Sequence, residues 1–254
     1  MPDMSVTVES LEHFYHESEL GCHVRKALGH EIGKMWPDLR RYDIVGVGYA
    51  GPVLSAVDTC NSRIVNLLPC SQPPPEIHPA MVLSTVVVTE MLWPLPTSFA
   101  ERMVVVHGLE MSSNPSGFMK ECWRVLAPEG RIAIVVANRT GLWARSPSTP
   151  FGAGNAFTVA GVKKLLEESR FELTATRASL FSPPEIYGRH LEKAQRLDQL
   201  GNLPVARYVG GVSILEARKR VFAKLRPGLG KAVQSGFELL QRVGTPKPEP
   251  ASGR

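Results

Sequence analysis

The stretch that decides the fold reads Arg102-Met-Val-Val-Val-His107-Gly-Leu-Glu110 and continues, after a polar loop, to Arg124-Val-Leu-Ala-Pro-Glu-Gly-Arg131. The apolar run 103–107 predicts a strand buried on both faces, and the run 132–137 predicts another. Between them, residues 115–126 place apolar side chains at helical spacing, with Asn114 as the expected N-cap. A strand, a helix and a strand in this order are typical of a parallel sheet with helices packed on its faces.

The same alternation continues in both directions along the chain. Apolar runs predict further strands at residues 43–48, 63–68, 81–88, 171–181 and 208–217. Helices are predicted at residues 10–36, with a break at Gly21 and an end before Pro37, and from Thr158 to Ser169. The predicted fold class is therefore α/β, with a doubly wound sheet.

The composition indicates an ordinary globular chain. Of 254 residues, 43% are hydrophobic and 21% are charged, which suits one large α/β domain with a tail. No apolar run reaches the length of about 18 residues that spans a membrane, and the acidic N-terminus argues against a signal peptide. We therefore expect a cytoplasmic protein. The four cysteines include no CxxC pair, so no metal site is predicted.

Positive charge is concentrated at the C-terminus. Residues 216–254 contain nine Lys or Arg and three Glu, whereas the whole chain carries a net charge of +5. Such a segment either binds an acidic partner by charge attraction or stays solvated as a helix with a frayed end. We predict a helical cap at residues 1–40, an α/β domain at residues 41–218, and a basic helix with a disordered tail at residues 219–254.

A glycine-rich turn follows the first predicted strand. Gly46-Val-Gly48-Tyr-Ala-Gly51 has the spacing G-x-G-x-x-G, and Pro52 suits the first turn of a following helix. Glycines allow a tight turn here and a close approach of the backbone to a ligand. The pattern alone fits a dinucleotide pyrophosphate or the methionine part of S-adenosylmethionine (SAM). Because no acid lies near Asn66, about 20 residues on, a nicotinamide site is disfavoured.

Three segments together resemble the class I SAM-dependent methyltransferases of the type 11 kind. They are Thr89-Glu-Met-Leu-Trp-Pro94-Leu-Pro-Thr-Ser-Phe99, the strand that ends in His107-Gly-Leu-Glu110, and the run from Arg124 to Arg131. That family carries L-P-F/L-x-x-x-S-F/V-D, H-x-L-E and R-V-L-x-P-G-G-R at these places. The resemblance covers residues 9–218. It is closest to a bacterial branch with the glycine loop G-x-G-Y-A-x-P and the motif N-R-x-G-L-W-A-R, here residues 138–145.

The resemblance implies a Rossmann-like, doubly wound seven-stranded sheet with an N-terminal helix, a basic C-terminal tail and SAM as the cofactor. His107 would lie beside the methyl group, where an imidazole suits a general base, and Tyr15 would close the pocket from above. Asn138 and Arg139 end a strand at the edge where such sheets bind ligands, so we expect them near the substrate. The residues that the resemblance places around SAM are Gly46, Gly48, Tyr49, Gly51, Asn66, Leu67, Thr89 and Glu90.

Three departures from the family pattern affect SAM recognition. Val45 stands where the family has an acid before the first glycine, and the ribose acid near Asn66 is missing. Glu129 replaces the first glycine of the P-G-G-R turn. Loss of one charge-assisted hydrogen bond costs about 1.5–3 kcal/mol, or roughly 10- to 100-fold in affinity. The sequence therefore predicts a degenerate SAM-binding motif.

Two functions follow from these patterns. The first is methyl transfer from SAM to a small-molecule or protein acceptor. The second is a catalytically weakened, methyltransferase-like binding or scaffold protein that acts through a partner, for which the basic tail is a candidate surface. Another Rossmann-like enzyme, such as a nicotinamide oxidoreductase, is the remaining alternative. No aromatic and basic interleaving indicates nucleic-acid binding, and no motif identifies the acceptor.

Overall fold

The computed structural model describes residues 7–69, 85–146, 149–153, 155, 157–189 and 210–221. The predicted strand segments 81–84 and 208–209, and the predicted basic helix and tail beyond residue 221, lie outside these ranges. The chain divides into two compact units, residues 1–220 and residues 221–254. All described residues except Val221 belong to the first. Within the described ranges, no helix combines the length and the hydropathy needed to cross a membrane.

One seven-stranded sheet forms the centre of the first unit. Its strands are β1 (Asp43–Gly48), β2 (Arg63–Pro69), β3 (Thr85–Val88), β4 (Ala100–Val106), β5 (Leu126–Ala137), β6 (Phe171–Ser179) and β7 (Val212–Lys219). The strand order is β3-β2-β1-β4-β5-β7-β6. Strands β1 to β5 pair in parallel, and β7 is antiparallel to both of its neighbours. The predicted Rossmann-like seven-stranded α/β sheet is confirmed.

The antiparallel strand β7 is the one departure from a fully parallel sheet. The chain leaves β6 at Leu180, and the amide of Gly211 donates to the Leu180 carbonyl oxygen at 2.9 Å. It therefore re-enters the sheet at the edge where β6 ends, so β7 must run back between β5 and β6. The sequence reveals the strand but not its direction, because direction depends on where the connecting chain returns.

The N-terminal cap consists of two helices joined by a π-helical segment. They are α1 (Val8–Glu12), the π-helical segment His13–Glu17, and α2 (Glu19–Met35). The predicted break at Gly21 is wrong, because it falls at Ser18, whose hydroxyl accepts from the Gly21 amide at 2.9 Å and caps α2. A Cβ on Gly21 would lie 1.7 Å from the Phe14 carbonyl oxygen. This glycine therefore allows close packing rather than ending a helix.

Among the described residues, four helices and two short 3-10 turns lie between the strands. Asn114 caps its helix as predicted, with its side-chain oxygen 2.9 Å from the Gly117 amide. Thr158 caps the next long helix in the same way, at 3.0 Å from the Gly161 amide. The segments are α3 (Gly51–Leu54), α4 (Pro115–Val125), the 3-10 turns Trp143–Arg145 and Pro150–Gly152, α5 (Val159–Glu168) and α6 (Pro184–Arg189).

The sheet has a hydrophobic core on each face. In β4, Val104 and Val106 belong to the cluster that contains α2 and α3, whereas Met103 and Val105 belong to the cluster that contains α4 and α5. This alternation follows from the two-residue period of a strand. Both faces are covered by helices, as a doubly wound sheet requires.

The two motifs that carry the family resemblance contact each other. Arg124 binds both carboxylate oxygens of Glu121, at 2.9 and 2.6 Å, and donates to the carbonyl oxygens of Leu95 and Trp93 at 2.8 and 3.1 Å. The arginine of the R-V-L-x-P-x-G-R motif therefore fixes the Trp93–Leu95 segment before β4. This role is structural.

The amino-terminal half of the sheet contains a second buried polar network. Glu216 on β7 accepts from Trp36 Nε1 at 2.7 Å, from Arg131 at 2.8 Å and from the Thr174 hydroxyl at 2.7 Å. Lys219, which we assigned to the tail, is buried in β7, and its Nζ donates to the Leu126 carbonyl oxygen at 2.5 Å. The sheet thus extends one residue past the predicted domain end.

Candidate functional site

The glycine turn lies at the carboxyl edge of the sheet, the edge at which strands β1 to β5 end. The strand order reverses at β1, with β2 on one side and β4 on the other. Gly48 forms an isolated bridge with His107, and the amide of Tyr49 donates to the Val106 carbonyl oxygen at 2.8 Å. Open α/β sheets bind ligands at such a reversal point, outside the carboxyl ends of the strands.

The packing of the protein itself requires glycine at Gly48, whereas a side chain at Gly46 would displace the side chain of Asn66. A Cβ on Gly46 would lie 2.3 Å from the side-chain oxygen of Asn66. A Cβ on Gly48 would lie 2.2 Å from the Val106 carbonyl oxygen, and Gly48 has a φ of +74°. Glycine is the residue that tolerates this backbone conformation. The glycine pattern is therefore explained without a ligand, and by itself it does not establish one.

Tyr15 and His107 form a buried hydrogen bond at this edge. The Tyr15 hydroxyl lies 2.9 Å from His107 Nε2, and the two side chains are 0% and 2% exposed. Tyr15 comes from the π-helical segment and stacks on Tyr49, with ring centroids 5.5 Å apart. Segments of this kind are frequent at functional sites. The predicted residues Tyr15, Gly48, Tyr49 and His107 are thus brought together.

The Tyr15 and His107 side chains are electrically neutral at pH 7. Burial, with smaller contributions from the charges of Glu110 and Tyr49, raises the pKa of the Tyr15 phenol well above its usual range. Burial lowers the pKa of His107 to about 3, because the imidazolium loses its hydration. An imidazole with so low a pKa is a weak base at neutral pH.

Further rings continue the cluster beyond His107. Phe151 lies 4.7 Å from the His107 ring, and Trp143 lies 5.8 Å from Phe151. We call Tyr15, Tyr49, His107 and Phe151 the aromatic cluster. Phe151, in the 3-10 turn Pro150–Gly152, was not among the predicted site residues.

Glu110 is the site residue that sequence reasoning missed. It follows His107 by one turn and is 4% exposed. One carboxylate oxygen accepts from the Ala137 amide at 2.8 Å, and burial raises the pKa of Glu110 from 4.5 to about 7. Its other oxygen is buried and has no hydrogen-bond partner among the described residues. The H-x-L-E motif contained the signal, but a motif does not reveal whether a carboxylate is paired.

Glu90, one of the residues that the resemblance places around SAM, binds the loop before α4. Its carboxylate accepts from the hydroxyls of Ser112 and Ser113 and, at 2.9 Å, from the amide of Asn114. Partial burial alone would raise the pKa of Glu90, but these hydrogen bonds outweigh burial and hold it below its usual range. Thr89 donates to the Leu92 carbonyl oxygen at 3.3 Å. Both side chains thus have local partners, and their contact with a cofactor stays a prediction.

The remaining predicted cofactor residues lie at the ends of β1 and β2. Gly51 begins α3. Leu67 is fully buried in the core cluster on the face of α4 and α5, and Asn66 is 5% exposed. The Asn66 side chain thus lies next to the glycine turn, whereas the Leu67 side chain packs in the core.

The predicted substrate residues follow β5. The Asn138 side chain donates to the Gly210 carbonyl oxygen at 2.9 Å and accepts from the Thr140 hydroxyl at 2.9 Å, whereas Arg139 is exposed. A pocket of about 260 Å³ opens beside Asn138, with Trp143 and Leu180 among its lining residues. Asn138 therefore lies at a cavity large enough for a small molecule, and its role toward a substrate stays a prediction.

Comparison with known proteins supports the fold assignment. No protein-family model matches the sequence, and no curated protein matches it. A Thermotoga maritima protein described as a SAM-dependent methyltransferase, possible histamine N-methyltransferase, is similar in structure, with a TM-score of 0.58 and 15% identity over 84% of this chain and 99% of that chain.

Two further solved structures are similar. A chain in the complex between the Haloferax volcanii Trm112 methyltransferase activator and a methyltransferase has a TM-score of 0.56, with 14% identity over 85% of this chain and 100% of that chain. The [4+2]-cyclase SpnF has a TM-score of 0.50, with 14% identity over 77% of this chain and 81% of that chain.

The sheet order and these similarities together define the class of protein. The chain has the class I SAM-dependent methyltransferase fold, as the sequence predicts. At 14–15% identity the similarity shows the fold alone, and function must be argued from the site.

Proposed function

We propose that the chain is a SAM-dependent methyltransferase that acts on a small-molecule or protein acceptor. The observation that carries this proposal is the bridge between Gly48 and His107 at the point where the strand order reverses. The Tyr15 hydroxyl contacts His107 at the same place. This is the position at which sheets of this class bind their ligands. The fold and the neutral aromatic surroundings support the same conclusion.

The aromatic cluster suits a cationic cofactor. SAM supplies a methyl group activated by a positively charged sulfur. Faces of aromatic rings attract such cations, and the attraction grows when water is excluded. The rings of Tyr15, Tyr49 and Phe151 are buried and lie around the neutral His107. Against this fit, Asn66 and the end of β4 occupy the space beside Gly46 and Gly48, so we expect weak binding.

The chain's own residues would contribute mainly positioning and water exclusion. Methyl transfer needs an aligned nucleophile and a dry site more than strong acid–base chemistry. The hydrogen bond between Tyr15 and His107 holds both rings in place. The low pKa of His107 favours this positioning role over the general-base role predicted from the sequence. The pocket beside Asn138 is the place we propose for the acceptor.

Calorimetric titration with SAM and with S-adenosylhomocysteine tests the proposal. We expect saturable heat with both ligands, and slower amide hydrogen exchange at residues 46–51 and 107–111 when either is bound. Methyl transfer is then assayed against amines, including histamine, which the description of the Thermotoga protein names. Absence of binding at millimolar ligand would contradict the proposal. Gly48→Val is unsuitable as a test, because its Cβ would overlap the Val106 carbonyl oxygen.

A second function is favoured by one observation. Because packing alone accounts for Gly46 and Gly48, the turn would persist in a methyltransferase-like binding or scaffold protein with weakened catalysis. Such a protein would act through a partner, with the basic residues after 218 as a candidate contact for an acidic surface. The two functions differ in turnover. The scaffold function predicts binding of SAM or of a partner without S-adenosylhomocysteine being formed.

A further inference from the structure

Glu110 has hydrogen-bonding capacity that the described residues leave unused. Its side chain is 4% exposed. Its carboxylate accepts from the Ala137 amide at 2.8 Å, and backbone hydrogen bonds from Ala137 and from Glu110 itself only partly offset the effect of burial on its pKa. Among the described residues, the second carboxylate oxygen accepts no hydrogen bond. A buried carboxylate needs a cation or several donors to offset its lost hydration. Glu110 has neither within these ranges.

The other two buried glutamates differ in this respect. Glu121 pairs with Arg124 at 2.6 Å, and Glu216 pairs with Arg131 at 2.8 Å. Each of these carboxylates therefore has an arginine supplied by the fold. Glu110 has no such arginine among the described residues. The contrast indicates that a group from outside the described residues pairs with its second carboxylate oxygen.

The surroundings of Glu110 favour a positively charged group. The nearby titratable side chains Tyr15, Tyr49 and His107 are neutral at pH 7, so they do not compensate a carboxylate. Glu110 lies in the turn that the Met111 amide closes on the His107 carbonyl oxygen at 3.1 Å, next to the aromatic cluster. After burial, the charge of Glu110 is the next cause that raises the pKa of the Tyr15 phenol. Aromatic rings together with one acid form a recognition site for organic cations.

We propose that Glu110 is the acid that recognises the cationic end of the bound cofactor, in place of the acid absent at Val45. This inference rests on the proposed function. The chemistry shared by the candidate partners is a positive charge, either the sulfonium or the primary ammonium of SAM.

Three ligands distinguish the two cationic groups. SAM has both the sulfonium and the ammonium, S-adenosylhomocysteine has only the ammonium, and 5′-methylthioadenosine has neither. In calorimetric titrations we expect Glu110→Gln to weaken SAM roughly 10- to 100-fold, with 5′-methylthioadenosine unchanged. Equal weakening of S-adenosylhomocysteine assigns the ammonium as the partner. Its unchanged affinity assigns the sulfonium.

Glu216→Gln is the matched control, because it removes a buried carboxylate from the same sheet in its amino-terminal half. We expect it to leave the affinity for all three ligands unchanged. Thermal unfolding of both variants identifies any loss of fold. Glu110→Gln keeps the acceptor for the Ala137 amide and removes an uncompensated charge, so we expect it to be at least as stable as the wild type while it binds SAM less tightly.

Three outcomes contradict the inference, and they are distinguishable. Wild-type affinity of Glu110→Gln for SAM overturns the role of Glu110 and leaves the proposed function intact. Equal weakening of all three ligands also overturns it, because a neutral ligand would then depend on the carboxylate. Failure of the wild type to bind any of the three contradicts the proposed function, and this inference with it.

Discussion

Two buried carboxylates, Glu110 at the carboxyl edge of the sheet and Glu216 in its amino-terminal half, are almost equally inaccessible, at 4% exposure each. Glu216 accepts hydrogen bonds from Trp36, Arg131 and Thr174. Burial alone would raise the pKa of Glu216, but these bonds outweigh burial and hold it below its usual range. Burial raises the pKa of Glu110 despite its backbone hydrogen bonds. The two carboxylates therefore do not differ in burial but in how far their hydrogen-bonding capacity is used, and this difference supports the role proposed for Glu110.

The largest expected effect is at the satisfied acid. Glu216→Ala removes the acceptor for Trp36 Nε1, the Thr174 hydroxyl and Arg131, and leaves buried donors unpaired. We expect a loss of about 2–4 kcal/mol in the free energy of unfolding, measured by urea denaturation. Affinity for SAM should be unchanged. A loss below 1 kcal/mol would remove the contrast between the two regions.

The second prediction concerns pH and the unsatisfied acid. Burial raises the folded-state pKa of Glu110 from 4.5 to about 7. Its contribution to the free energy of unfolding is therefore fully present below pH 4.5 and is lost as the pH rises to 7. The difference between wild type and Glu110→Gln should therefore grow over this window, to at most about 3 kcal/mol in favour of the variant. Denaturation at several pH values between 4 and 8 measures it.

Glu216 provides the opposite pH dependence as a control. The folded-state pKa of Glu216 is lowered. Its carboxylate therefore stabilises the folded state above the pKa of the unfolded chain, and this stabilisation is lost as the pH falls through the folded-state pKa. Glu216→Gln should thus cost stability at pH 7 and progressively less at low pH. If the stability of both variants relative to the wild type changed in the same direction with pH, the contrast between Glu110 and Glu216 would be contradicted.

A smaller effect is expected within the aromatic cluster. Tyr15→Phe removes the hydrogen bond to His107, and we expect a loss of about 1–2 kcal/mol. The Tyr49 hydroxyl is buried without a hydrogen-bond partner among the described residues, so Tyr49→Phe should be neutral or slightly stabilising. Chemical denaturation of the two variants in parallel compares one paired and one unpaired phenol in the same stack. Equal losses would show that packing, not the hydrogen bond, determines the result.

The smallest effect is expected at Glu129, near the start of β5. Glu129 has a φ of +60°, in the region that glycine adopts at little cost, and its contact with Arg218 at 3.3 Å is exposed. Glu129→Gly should stabilise the chain by about 0.5–1 kcal/mol, whereas Glu129→Ala, which keeps the strain, should not. Thermal unfolding measures the difference, and SAM affinity should remain constant in both.

Much of the fold is predictable from local patterns. The strand of residues 43–48, the cap at Asn114 and the helix that follows depend on neighbouring residues, so periodicity and capping chemistry identify them. The break between α1 and α2 was misplaced, because Gly21 is needed for packing against Phe14. The start of β5 was placed too late, since the strand already begins at Leu126.

The candidate site was predictable in part. The sequence predicted Tyr15, Gly48, Tyr49 and His107 for one site. The structure places these four residues together. The position of Glu90 in a motif predicts that it lies near SAM, and the structure shows in addition that its carboxylate holds the loop before α4. A motif specifies where a residue lies along the chain, and not which of several nearby groups it contacts.

The sequence by itself determined the α/β alternation and the glycine turn, because each depends on residues close together in the chain. Only the tertiary structure decided that Tyr15 meets His107, 92 residues away, and that Glu216 is paired whereas Glu110 is not. The physical reason is that burial and hydrogen-bond satisfaction depend on which elements pack together. Two glutamates of the same sequence thus have opposite pKa shifts and different expected roles.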